Sequence, residues 1–254
     1  MGQAVEYKRL IDVEGAYNVR DLGGYQTADG RLTRWGVYLR ADNMNDISEG
    51  GKAALLSYGL KRIIDLRQTN SVEETPNVFE SSKDPEYLRI NIIGDEEPPG
   101  WSDAAESLVG AENLFNLYRL MLDHCQERFA EVMTKLSEPE ALPAIYHCQA
   151  GTDRTGIVSA FILSLAGVAR HTIVEDYALS GPHLRRRILA EASASGASLE
   201  ELAEIRQREL HPAVGAMDLT LDYLGEKYGG VEGYLGRNGV SGDQLQSIRD
   251  AMVE

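Results

Sequence analysis

Apolar positions fall into short continuous runs in the first half of the chain and recur at helical spacing through most of the second half. Residues 1–35 read as irregular chain and short strands, punctuated by the turn signals Gly23-Gly24 and Asp29-Gly30. Ser48 to Tyr58 predicts a helix: Ser48 can cap it, Ala54, Leu55 and Tyr58 give an apolar face, and Gly59 ends it. Lys61 to Leu66 predicts a buried strand and Tyr87 to Ile93 a second one. The acidic stretch 94–104, broken by Pro98-Pro99-Gly100, predicts a loop. From Ala111 to Leu136 the spacing of Leu114, Leu117, Tyr118, Met121 and Leu122 predicts one helix or a broken pair. Pro143 to His147 is a further short strand, and Thr155 to Ala166 an apolar helix ended by Gly167. Helical patterns follow at 171–180, 182–195, 198–209, 213–228 and 241–253. Strands alternating with helices, then a run of helices, predict an α/β fold with a mixed or parallel sheet and a helix-rich C-terminal half.

With 254 residues and no repeat or linker, the chain reads as one domain over 1–254, with residues about 94–113 as a lid or variable insertion. Lys and Arg number 25 against 40 Asp and Glu, a formal charge of −15. That field repels polyanions, so nucleic acid and anionic membrane surfaces are excluded as general partners. A small anionic substrate requires a local cluster of positive groups. The two cysteines, Cys125 and Cys148, form no disulfide framework and read as reduced thiols of a cytoplasmic protein. The N-terminus lacks a signal-peptide pattern. The apolar stretch from Ile157 to Ala169 falls short of the ~20 residues of a membrane span.

The segment that carries chemistry is Ile145 to Gly156, IYHCQAGTDRTG. A strand ends at His147, Cys148 follows, five residues intervene before Arg154, and Thr155-Gly156 open an apolar helix. This order predicts a tight loop around an anion, with backbone N–H groups of Gln149, Ala150, Gly151, Thr152, Asp153 and Arg154 turned inward and a helix N-terminus behind them. Gly151 permits a close backbone approach. The Arg154 guanidinium can bind two phosphoryl oxygens at once. In such a loop Cys148 is expected to act as a thiolate nucleophile. Most of the rate enhancement then comes from Arg154 and the amides, which hold charge in the transition state.

Competing motifs fail on spacing. Ile157 and Val158 stand where a Walker A loop needs Lys and Ser or Thr, no HExxH or CxxC occurs, and the histidines are scattered. No metal or cofactor is expected. His124-Cys125-Gln126 repeats three letters of the loop but lacks its glycine, and its arginine, Arg128, lies only three residues on within a helical pattern. Cys125 therefore reads as packing.

HCQAGTDRTG resembles the phosphate-binding loop of cysteine-dependent protein tyrosine phosphatases. The segments Asn18 to Tyr25, Val37 to Ala41, Ile64 to Arg67, Val174 to Tyr177 and Gly229 to Gly236 extend the likeness to the atypical bacterial group of that family. The resemblance implies a phosphatase fold with a central, mostly parallel sheet flanked by helices. It also implies hydrolysis of phosphotyrosine, with phosphoserine and phosphothreonine as further substrates, in two steps through a phosphocysteine. Cys148 would attack phosphorus, His147 would orient the loop, and Thr155 would stabilise the departing sulfur. Asp95, after the second strand, is the preferred general acid, although Gly94 stands where the group carries proline; Asp153 is the alternative. Arg20 and Asp21 could line the pocket or pair with each other, and structural bracing is expected of them over direct substrate contact. Arg40 and Arg67 are expected to brace the loop from below, and Arg185 to Arg187 to form a solvated helix face. The group commonly has Lys where Thr152 stands, which weakens any expectation of phosphoinositide activity. A small-molecule or phosphoinositide phosphatase is the alternative enzyme, and a phosphate-binding pseudoenzyme the alternative from another class. A sulfurtransferase fits the arginine-bearing loop less well.

Overall fold

The computed structural model describes residues 8–106, 110–196, 198 and 214–254. Its centre is a five-stranded sheet of β1 (Arg20–Asp21), β2 (Tyr38–Ala41), β3 (Arg62–Asp65), β4 (Glu86–Arg89) and β5 (Ala144–His147), in the order β1-β2-β5-β3-β4. Only the β1–β2 pair is antiparallel. The sheet is thus mostly parallel and flanked by helices, as the sequence predicts.

Side chains alternate across the strands, and the two faces fill different cores. Tyr38, Ile64, Ala144 and Tyr146 point to the larger one, while Leu39, Ala41, Ile63 and Ile145 join Ile11, Val13, Val19 and Leu55 on the other. The second face is covered by the N-terminal segment and α1 (Glu49–Leu56), which begins at the predicted cap: Ser48 Oγ accepts from the Gly51 amide. Short α2 (Thr69–Glu74) follows β3, and α3 (Trp101–Glu106) lies partly inside the stretch expected to be loop.

The larger core is built on α6 (Asp153–Leu165), whose apolar residues cover its whole circumference and are buried on all sides. Around it pack α4 (Ala111–His124), α5 (Gln126–Leu136) and α7 (Arg170–Ala178), with α8 (Ser180–Ser195) lying against α7. Helices α9 (Val214–Tyr228), α10 (Val231–Arg237) and α11 (Gly242–Met252) complete this layer. The run 111–136 is the broken pair, with the break at Cys125. The helix expected at 198–209 lies outside the described residues, as do 107–109 of the 94–113 segment. No described helix is long and apolar enough to cross a membrane.

Register fixes the functional edge of the sheet. Ala41, His147 and Asp65 are level with one another at the C-terminal ends of the three central parallel strands. That is the edge at which open α/β sheets bind ligands. Cys148 is the next residue along β5.

Candidate active site

Cys148 to Arg154 leaves β5 and turns at once into α6, whose first residue is Asp153. The turn closes at Gly151, where φ is +68°, a left-handed conformation that side chains disfavour. A Cβ there would lie 2.5 Å from the Ala41 carbonyl oxygen and 2.8 Å from the Asp42 amide nitrogen, so only glycine lets the loop sit against the end of β2. At Gly156 a Cβ would come within 2.9 Å of Tyr177 Cδ2, so glycine here lets α7 close on the start of α6.

Four consecutive loop carbonyls have partners on the scaffold. His147 Nδ1 lies 3.2 Å from the Cys148 carbonyl. The Asn43 amide donates to Gln149 O (3.0 Å), Asn18 Nδ2 to Ala150 O (2.9 Å) and Arg40 Nη2 to Gly151 O (2.6 Å). In a trans peptide the carbonyl and the following N–H point in opposite directions. Drawing these oxygens outward therefore turns the amides of Gln149, Ala150, Gly151 and Thr152 inward, into one cradle.

The tautomer of His147 follows from its neighbours. Asn77 Oδ1 accepts the Phe79 amide (2.9 Å), so Asn77 Nδ2 is the donor to His147 Nε2 (2.9 Å). The proton is then on Nδ1, where it donates to Cys148 O. Burial lowers the His147 pKa against the opposing pull of Asp65, keeping the ring neutral. Asp65 itself takes a bidentate bond from Arg67 and a bond from Tyr87.

Arg154 is half-buried, and its Nη1 donates to Leu66 O (3.3 Å) just beyond β3. Cys148 is 2% exposed. Thr155 Oγ1 is buried without a hydrogen-bond partner among the described residues, so the expected bond to the Cys148 sulfur is not formed. Gln149 Oε1 is likewise buried and unpartnered.

The two carboxylates weighed as acids are held differently. Asp153 Oδ1 accepts from Tyr118 Oη (2.5 Å), whose hydroxyl also meets that of Tyr177 (2.7 Å). Burial, then the Asp153 charge, push Tyr118 well above its ordinary pKa, so it remains a neutral donor. Asp95 is exposed; its Oδ1 accepts from Thr69 Oγ1 (2.6 Å) and Asn91 Nδ2 (3.2 Å), while no hydrogen bond from the described residues engages Oδ2.

Arg20 and Asp21 are both fully buried, and each is hydrogen-bonded to other residues rather than to its neighbour. Asp21 accepts the Gly23 and Gly36 amides (2.8 and 2.7 Å), tying a turn. Arg20 bonds Asp176 and Ser180 in the interior and donates to Asn18 Oδ1. Arg40 does meet the loop, whereas Arg67 is engaged by Asp65 and Thr75. Arg185 and Arg186 are exposed on α8. Asn18, Asn43, Asn77 and Asp176, which hold or back the loop, escaped the sequence reading. Asn18 and Asp176 fell inside segments singled out for resemblance, but isolated amides and acids have no signature of their own.

A model of the tyrosine phosphatase family matches residues 11–254, nearly the whole chain. The chain belongs to that family. It is 29% identical to a tyrosine-protein phosphatase of Nostoc commune over 84% of this chain and 73% of the relative. It is 25% identical to the triple specificity protein phosphatase PtpB of Mycobacterium tuberculosis, over 95% of this chain and 98% of that one. A putative tyrosine-protein phosphatase of Cupriavidus necator is 26% identical over 86% and 80% of the two chains. The chain is accordingly a cysteine-dependent protein-tyrosine phosphatase, and the loop from Cys148 to Arg154 is where the chemistry of that class is to be sought.

Proposed function

We propose that Cys148 is the nucleophile of a two-step hydrolysis of phosphotyrosine in proteins, with phosphoserine and phosphothreonine as further substrates. The sulfur attacks phosphorus, the ester P–O bond breaks, and the leaving oxygen takes a proton from Asp95. Water then attacks the phosphocysteine, giving its proton to the Asp95 carboxylate, and inorganic phosphate leaves with return of the thiolate. Arg154 and the four inward amides carry the charge on the phosphoryl oxygens. The Thr155 hydroxyl, buried and unpartnered, supplies a donor to the sulfur in the second step. The observation that carries this reading is the outward fixing of the Cys148 to Gly151 carbonyls, which makes an anion cradle directly beyond β5.

Asp95 is preferred as the acid because its Oδ2 is unengaged on an exposed segment, whereas Asp153 is tied to Tyr118. The whole chain is read as one phosphatase domain, with residues about 94–113 as a lid or variable insertion that carries Asp95. Cys148→Ser should abolish turnover of an aryl phosphate yet retain vanadate and phosphotyrosyl peptide, while Cys125→Ser stays near wild type. Inactivation by the Cys125 change instead would overturn the assignment. Retention of small phosphomonoesters with no phosphopeptide would redirect the substrate class.

A further inference from the structure

Behind the loop, two arginines share one carboxylate in the interior. Asp176, on α7, accepts Arg20 Nε at Oδ1 (3.1 Å) and Arg40 Nη1 at Oδ2 (2.6 Å), with side-chain exposures of 1% or less throughout. Tyr25 Oη adds a bond to Oδ1 (2.9 Å). Although burial alone would raise it, the two guanidiniums hold Asp176 well below the usual carboxylate range. Burial and the neighbouring Arg40 lower Arg20 to about 10. Both groups stay ionised near neutrality, and the two cations against one anion leave a net positive charge enclosed there.

Each arginine also reaches the loop. Arg40 donates directly to Gly151 O (2.6 Å). Arg20 donates to Asn18 Oδ1, and Asn18 Nδ2 donates to Ala150 O (2.9 Å). One carboxylate thus aligns the holders of two successive loop carbonyls, and so the direction of the Gly151 and Thr152 amides. Stability does not account for the arrangement: Arg40 Nε is buried without a partner among the described residues, and buried charge clusters are weak stabilisers compared with apolar packing.

We propose that Asp176, with Arg20 and Arg40, forms a positioning cluster that sets the affinity of the loop for the phosphoryl group by aiming its amides, without touching substrate. The proposal rests on the phosphatase reading of the loop.

Two variants separate aiming from bulk charge. Arg40→Lys keeps the positive charge but cannot span both Asp176 and Gly151 O. Asp176→Asn makes the interior more positive while disordering both arginines. The readouts are the dissociation constant for orthovanadate, KM and kcat for an aryl phosphate, and the melting temperature. Arg170→Met serves as control, since it removes exposed ion pairs from the same helix to Asp218 and Asp222. Aiming predicts that Arg40→Lys weakens vanadate roughly tenfold or more, the loss expected for one charge-assisted hydrogen bond, and raises KM, with the control unchanged. It also predicts weaker vanadate binding by the folded Asp176→Asn protein. Unchanged vanadate affinity in Arg40→Lys overturns the proposal, as does tighter binding in Asp176→Asn, which marks a purely electrostatic role. If Asp176→Asn does not fold, Arg40→Lys decides alone. Should Arg40→Lys not fold either, Asn18→Ala, which releases Ala150 O, must weaken vanadate or the proposal fails. A wild-type protein that neither binds vanadate nor hydrolyses the ester would instead refute the phosphatase reading.

Discussion

Gly151→Ala tests the claim that the loop is held in shape by contact with β2. Its cost has two parts. An L side chain at φ +68° pays about 1–2 kcal/mol for the left-handed backbone. The new Cβ would also lie 2.5 Å from Ala41 O and 2.7 Å from Ala41 C. Those atoms end a strand paired on both sides, so the loop must move, and overpacking of this kind typically costs about 1–3 kcal/mol. The total is about 2–5 kcal/mol. If the loop gives way to relieve it, the loss appears in catalysis, at tenfold per 1.36 kcal/mol, as a drop in kcat/KM of about 30-fold to several thousand-fold. Gly59→Ala is the matched control: φ is +73°, but nothing lies within 4 Å of the new Cβ. It should lower stability by only about 1–2 kcal/mol and leave kcat/KM alone. Urea unfolding, aryl phosphate kinetics and vanadate inhibition give the three readouts. A Gly151→Ala enzyme with kcat/KM within twofold of wild type and an unchanged unfolding midpoint would refute the reasoning.

Asp95→Asn should depress hydrolysis of phenyl or alkyl phosphates far more than that of a nitrophenyl phosphate, and flatten the basic limb of the pH profile, because an acid matters most for a basic leaving oxygen. Asp153→Asn should impair all substrates alike by loosening the Tyr118 contact; the reverse pattern would exchange the two roles. Asp42, which accepts the Tyr17 and Asn18 amides in the interior, is pushed up from 3.8 to about 6 by burial, against those bonds and Arg187. A carboxyl raised on folding favours the folded state below 3.8, and that contribution is lost as pH rises to about 6; it amounts to about 3 kcal/mol at 1.36 kcal/mol per pH unit. Relative to wild type, D42N should therefore gain stability between pH 4 and pH 7 in urea unfolding, and a pH-independent difference would count against the buried charge.

Elements whose apolar pattern is strong were legible from the sequence, and those made by context were not. Ser48 capped its helix, and the all-apolar run after Arg154 became the buried α6. The helix α10 escaped notice because Gly229, Gly230, Gly233 and Gly236 read as punctuation. Trp101–Glu106 was hidden in the same way by the prolines and acids around it. Strand ends were drawn too long: Tyr87 to Ile93 shrinks to Glu86–Arg89, since apolar residues continue past the last paired position to fill the core.

The site divides along a similar line. The loop could be read because it is contiguous, with a thiol, a glycine and an arginine at fixed spacing before a helix. Apart from Arg40, which was expected to brace the loop, its supports could not, because they come from three separate places: Asn18 and Asn43 near β1 and β2, Asn77 beyond α2, and Asp176 on α7. Each is a common residue type whose role depends on one carbonyl or one ring nitrogen across the fold. Arg20 shows the consequence. Sequence proximity pairs it with Asp21, yet adjacent strand residues point to opposite faces of a sheet. Arg20 and Arg40, register partners in the antiparallel pair, face the side that α7 covers. There they meet Asp176, 156 and 136 positions away. The β1–β2 register thus places both arginines behind the loop.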